Sequence, residues 1–132
     1  MLEGETKSLF AAGIWLIVTQ WLASGLGGYL AGRLREKWVG IRTDEVLFRD
    51  TAHGFLAWAL ATLIVVTLLT LGSLTMAAAA PATTGGSVSP EAAEAARKAA
   101  VAFAFYSSLS LLIGAFIGSV AGALGGYHRD EV

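Results

Sequence analysis

The chain predicts an all-α integral membrane protein of three transmembrane helices, and three observations carry that expectation. Of its 132 residues, 55% are hydrophobic and only 14% are charged, which is far more apolar than a soluble domain of this size. Three apolar runs, at 9–30, 54–76 and 100–124, each reach the roughly 20 helical residues that cross a hydrocarbon layer of about 30 Å. Within the last run Gly114, Gly118, Gly122 and Gly126 recur every fourth residue, a glycine zipper that lets another backbone come close. Connectors and tails are too short for a further domain, so residues 1–132 read as one membrane domain.

The first run is preceded by Glu3 and Glu5, not by the cationic start of a secretory signal, and it is longer than a signal core. It reads as a retained membrane helix. Gly13, Gln20, Ser24 and Gly28 fall within one arc of about 80°, with Gly32 a turn further on. An amide near the bilayer centre is costly without a partner, so Gln20 is expected to point at another helix. The competing role for Gln20 is lining a pore or ligand path.

From 32 to 52 the chain is charged, holding Arg33, Arg35, Lys37, Arg42 and Arg49, five of the nine Lys and Arg residues, against Glu36, Asp44, Glu45 and Asp50. With Arg129, six basic residues flank this side of the spans and three (Lys7, Arg97 and Lys98) flank the other. The positive-inside rule then places this loop and the C-terminus in the cytoplasm and the N-terminus outside. Tyr29, Trp38, Trp58 and Tyr127 are expected at the cytoplasmic headgroup level, where amphipathic rings prefer to lie. Topology is the main role expected of the basic residues. Arg33, Arg35, Lys37 and Arg42 are also candidates to grip anionic headgroups. Thr43, Asp44 and Glu45 look like a helix start with a threonine cap, continued by an i,i+4 pair between Glu45 and Arg49 into the second span.

In the second span Gly54, Ala57, Ala61, Leu68 and Gly72 share one side at spacings that suit a left-handed helix contact, whereas the four-residue repeat of the third favours a right-handed crossing. Thr62, Thr67 and Thr70 are expected to bond back to their own backbone. Residues 77–89 are Ala, Pro, Thr, Gly, Ser and Val without charge, the composition of an exposed connector. Ser89, Pro90 and Glu91 then read as cap, first helical position and acid, and Glu94 pairs with Lys98 four residues on.

The third helix places its glycines, Ser107, Ser110, Ala121 and Gly125 on one arc. Phe105, Leu109, Leu112, Ile113, Phe116, Ile117, Val120 and Leu124 lie opposite, where they are expected to meet lipid. Leu124-Gly125-Gly126-Tyr127 repeats Leu26-Gly27-Gly28-Tyr29 of the first span, as if two parallel helices end alike.

Candidate chemistry is sparse. There is no cysteine, so disulfides, thiolate catalysis and the commonest structural zinc sites are excluded. No Walker loop, dinucleotide fingerprint, nucleophile elbow or HExxH helix occurs. The net charge of −1 points to no nucleic-acid partner. His53 and His128 stand at helix ends expected to share one membrane face, with Asp50 near, and form a polar cluster whose expected role is interfacial capping; no metal and no cofactor is expected. No ionisable residue lies deep in a span, which argues against an ion-driven pump.

Gly27-Gly28-Tyr29-Leu30-Ala31-Gly32-Arg33, followed about twenty residues later by His53-Gly54-Phe55-Leu56-Ala57-Trp58-Ala59-Leu60-Ala61-Thr62, resembles a family of small bacterial inner-membrane proteins that also end in an Ala/Gly-rich span. The resemblance covers most of the chain and implies a bacterial inner-membrane location. Longer members look to have a further hydrophobic segment ahead of the first span seen here. The resemblance brings no activity, substrate or cofactor.

The sequence thus predicts a small non-enzymatic inner-membrane protein whose partners are the lipid bilayer and either itself or a larger membrane complex. Three helices with glycine faces offer more interface than internal packing can use, and that surplus is the reason to expect association. The alternative is a small oligomeric channel or transporter with Gln20 and the threonines along a polar path. The direction in which Gln20 points discriminates the two.

Overall fold

A computed structural model describes residues 2–36, 40, 42–79, 86 and 88–131, which contain three helices: α1 (Leu2–Arg33), α2 (Thr43–Ala79) and α3 (Pro90–Asp130). Each is long and apolar enough to cross a membrane. No strand occurs among the described residues. The chain is an all-α membrane protein. Lys37, Trp38 and, in the connector, 80–85 and 87 lie outside the described residues.

All three helices overrun the apolar spans. In α1 the turns before the span are held by Lys7, whose Nζ meets Glu3 Oε1 at 3.1 Å, an exposed i,i+4 pair of the kind that stabilises a helix by about 0.2–0.5 kcal/mol. The charged turn carrying Glu45 and Arg49, paired at 2.6 Å, runs unbroken into the second span. The start of α2 differs from the expectation. The Arg42 carbonyl accepts from the amides of Glu45 and Val46 at 3.1 and 3.2 Å, so Arg42 is the cap and Thr43 the first helical residue. At the start of α3 the Ser89 hydroxyl accepts from the Ala92 amide at 3.2 Å, with Pro90 the first helical residue, as the sequence suggested. Glu94 pairs with Arg97 at 3.0 Å as well as with Lys98 at 3.7 Å.

The chain divides into two compact units. One takes the residues up to Leu60 and from Ser110 onward, and the other takes Ala61–Leu109. In the second unit Thr67 and Thr70 return their hydroxyls to the carbonyls of Leu63 and Val66 at 2.7 and 2.8 Å, which satisfies them without a partner helix. Ala61, Leu68 and Gly72 are exposed there, Ser107 is half-buried, and no atom stands within 4 Å of a Cβ built on Gly72. Of the small-residue seam drawn along the second span, Gly54 is in close contact and Ala57 is half-buried, while Ala61, Leu68 and Gly72 are exposed.

In the first unit the helices meet through glycine. No hydrophobic side chain is buried among the described residues, and the buried positions of α3 are Ser110, Gly114, Gly118, Gly122, Gly125 and Gly126. The interior of this unit is backbone against backbone. A Cβ on Gly28 of α1 or on Gly54 of α2 would collide with the carbonyl oxygen of Gly118, and one on Gly32 with that of Gly122. From the α3 side, a Cβ on Gly122 would stand 2.5 Å from the Asp50 carbonyl oxygen and 2.9 Å from Gly54 Cα, and one on Gly125 would meet the Tyr29 carbonyl. The two Leu-Gly-Gly-Tyr repeats therefore touch each other. Opposite the glycines, Phe105, Leu109, Leu112, Phe116, Val120 and Leu124 are exposed, but Ile113 and Ile117 are half-buried, so the lipid-facing arc is narrower than expected.

Candidate functional site

The first unit holds two polar groupings, one at the charged end of its helices and one within their apolar length.

At the charged end, Asp50 is 2% exposed. Burying a carboxylate that deeply is costly unless charge and hydrogen bonds compensate it. Two guanidiniums do so. Arg35 Nε donates to Asp50 Oδ1 at 2.7 Å, and Arg129 Nη2 donates to Oδ2 at 3.2 Å. Arg129 also donates from Nη1 to the carbonyls of Gly32 and Arg35, at 3.0 and 3.2 Å, and from Nε to Asp130 at 2.9 Å. A cation set on the last carbonyls of α1 satisfies groups that a helix end leaves open and complements its dipole. One residue of α3 thus ties the end of α1 to the start of α2.

Local geometry explains why these side chains meet. Asp50 lies one turn before Gly54, and Arg129 one turn after Gly125, so both continue the glycine faces past the apolar spans. A Cβ on Gly126 would fall on the Asp50 carboxylate, so that glycine makes room for the acid.

The expected cluster of Asp50, His53 and His128 does not form. The Asp50 carboxylate is taken by arginines, His53 Nδ1 lies 2.7 Å from the Arg49 carbonyl in its own helix, and the His128 ring packs near Tyr29 at a centroid distance of 6.0 Å. No group of three or more potential metal ligands occurs among the described residues. Arg35, expected to face headgroups, is turned inward with its side chain 13% exposed. Arg42 is exposed beside Asp44 at 3.8 Å, and Arg33 is exposed with Nη1 donating to the Tyr29 hydroxyl at 2.8 Å. Lys37 lies outside the described residues.

Within the apolar length, Gln20 does meet another helix. The Ser110 hydroxyl donates to Gln20 Oε1 at 3.1 Å, while the Ser24 hydroxyl donates to the Gln20 backbone carbonyl at 2.9 Å. The amide nitrogen of Gln20 has no acceptor among the described residues. Trp58, expected at the headgroup level, instead lies against α3. A Cβ on Gly114 would stand 3.0 Å from Trp58 Nε1 and 3.3 Å from Ser24 Oγ. That indole N–H is buried and donates to nothing among the described residues.

Of the residues expected to pack helices, Ser24, Gly28, Gly32, Gly54, Gly114, Gly118, Gly122 and Gly126 are brought together here. Gly13 is not, since nothing lies within 4 Å of its Cβ position. No protein-family model, curated protein or solved structure matches the chain.

Proposed function

We propose that this membrane protein is a non-enzymatic component of the bacterial inner membrane that works by assembling with a second copy of itself, its N-terminus outside and its C-terminus in the cytoplasm. The glycine row of α3 is filled by the chain's own α1 and α2, so assembly must use another face. The face that fits best is on α1. Gly13, Gln20 and Gly27 recur every seven residues, each followed three residues on by Leu16, Ala23 and Leu30 in turn, which is the spacing of a left-handed helix pair. Leu16 and Leu30 are exposed, and nothing lies within 4 Å of the Cβ positions of Gly13 or Gly27.

The observation that carries the reading is the half-used amide of Gln20. Its oxygen is held by Ser110 and its nitrogen donates to nothing among the described residues, midway between two open glycines. In hydrocarbon an amide hydrogen bond across helices contributes about 1 kcal/mol, and one polar residue at such a seam can fix register. The same surface could dock on a larger complex, which cross-linking separates from self-pairing.

Because the chain has no cysteine, single-cysteine variants in native membranes are a clean probe. Oxidation should give a band at twice the 13.7 kDa chain mass for Gly13→Cys and Gly27→Cys, and none for Leu63→Cys. A chain that stays monomeric at 13 and 27, or that cross-links to a protein of another mass, would remove the proposal of self-assembly.

A further inference from the structure

We infer that the α1–α3 side of the first unit binds one anionic phospholipid, with its phosphate on Arg33 and His128 and an acyl chain in the apolar groove next to them. Arg33 is the observation that starts the argument. Every other described arginine, namely Arg35, Arg42, Arg49, Arg97 and Arg129, has a carboxylate within 4.0 Å. Arg33 has none among the described residues; its Nη1 is held by the Tyr29 hydroxyl at 2.8 Å, and the side chain is exposed. That single bond leaves the rest of the guanidinium fork directed by Tyr29 and free for an acceptor.

His128 of α3 packs near the same tyrosine, its ring centroid 6.0 Å from that of Tyr29. Asp130, the acid nearest to His128 in sequence, accepts from Arg129 Nε at 2.9 Å. A fixed guanidinium, a phenol and an imidazole from two helices make a donor set suited to a phosphate, which an arginine can grip with two parallel hydrogen bonds.

The groove ends about one helical turn before Tyr29 on α1. It is lined by Val18, Trp21, Leu22, Gly25, Leu26 and Ile117 and is apolar, with Gly25 opening its floor beside the Ile117 side chain. On α1, Val18, Leu22, Gly25, Tyr29 and Arg33 fall within one arc of about 80°, so groove and guanidinium share a face. On α3, Ile117 and His128 are eleven residues apart, which returns to within about 20° of the same direction and rises about 16 Å. Apolar channel and cationic head therefore line up along both helices in the order of a phospholipid, tail toward the bilayer centre and phosphate at the surface. A soluble phosphate would use the head and ignore the groove.

The test is lipid retention. The protein, reconstituted in vesicles of equal phosphatidylcholine and phosphatidylglycerol, is extracted, washed with detergent, and its bound lipid counted by native mass spectrometry. The wild-type chain should keep one phosphatidylglycerol. Arg33→Gln should lower retention about tenfold, the scale of one lost charge-assisted hydrogen bond. Arg33→Lys should lower it less, and Leu22→Trp, which fills the groove and leaves the head intact, should lower it comparably to Arg33→Gln. Arg42→Gln, at an exposed pair away from the groove, should leave it unchanged. Circular dichroism confirms that each variant is folded, and Arg33→Lys with Leu22→Trp keeps the test valid if Arg33→Gln is not. Equal retention of phosphatidylcholine, no effect of Arg33→Gln and Leu22→Trp, or displacement by millimolar glycerol phosphate in proportion to its concentration would each overturn the inference, the last by showing a phosphate site without a tail.

Discussion

The carbonyl oxygen of Gly118 occupies the place where Gly28 would carry a Cβ. In a helix interior, Gly→Ala ordinarily gains about 0.8–1 kcal/mol. At Gly28 that gain is overwhelmed, because the obstacle is another helix's backbone and cannot rotate away. Overpacking of this kind costs about 1–3 kcal/mol or more. Gly28→Ala, Gly32→Ala, Gly54→Ala and Gly122→Ala should therefore all lower stability, read as the SDS fraction that unfolds the protein in mixed micelles. Gly25→Ala, whose nearest neighbour would be Ile117 Cγ2 at 3.5 Å, and Gly72→Ala, which meets nothing within 4 Å, should be neutral or stabilising. Equal effects across the series would mean that the helices do not cross at these glycines.

Much of this arrangement is legible in the sequence, and the phase of the small residues is why. A four-residue glycine repeat in an apolar run has one physical use, the close approach of another backbone, and Gly114, Gly118, Gly122 and Gly126 are all buried. The ends of the helices were less legible. The same phase carried one turn further reaches Asp50 from Gly54 and Arg129 from Gly125, but loop charges look alike in sequence when their partners lie on other helices. Proximity along the chain suggested His53 for Asp50, whereas the fold supplies Arg129 from 79 residues away. Gly13 was not placed by phase alone for a related reason: it shares an arc with Ser24 and Gly28, yet nothing among the described residues stands within 4 Å of its Cβ position.

The Ser110–Gln20 contact should be measurable but modest. Ser110→Ala removes the hydroxyl that holds Gln20 Oε1 at 3.1 Å. Interhelical hydrogen bonds in bilayers average about 0.6 kcal/mol, so a loss near that size is expected in micelle unfolding. At dilutions that keep the chain monomeric, Gln20→Leu should lose no more than this, since leucine returns apolar contact as the amide bond disappears. A larger loss for Gln20→Leu that appears only at concentrations where copies associate is the result expected if its amide nitrogen is engaged by a second copy.

Trp58→Phe should be nearly free of cost. The indole N–H is buried without an acceptor among the described residues, and an unpaired buried donor is itself a penalty of about 1–3 kcal/mol. Phenylalanine gives up some ring contact against Gly114 and Gly118 but removes that penalty, so the two changes should offset to within about 1 kcal/mol. Trp58→Ala removes the ring altogether and should cost about 3–5 kcal/mol. If Trp58→Phe destabilises as much as Trp58→Ala, a hydrogen bond to the indole is made in the membrane.

Substitutions at the charged end should rank by how much buried charge each leaves uncompensated. Asp50→Asn strips the carboxylate from between two guanidiniums in a site where the acid is 2% exposed, and breaking a buried pair from one side costs about 3–5 kcal/mol. Arg129→Gln should follow, because it frees one side of Asp50 and also uncaps the Gly32 and Arg35 carbonyls at the end of α1. Arg35→Gln should be mildest, since it removes one bond to Asp50 and leaves Arg129 in place. Combining Asp50→Asn with Arg129→Gln should cost less than the sum of the two, by about 0.5–3 kcal/mol, the range found for residues in one network. The ranking should persist at 0.5 M salt, where the exposed Arg42–Asp44 pair, with side chains 88% and 90% exposed, contributes nothing measurable. Additive costs for Asp50 and Arg129, or a network that melts out with salt, would mean that the three helices are held by their glycines alone.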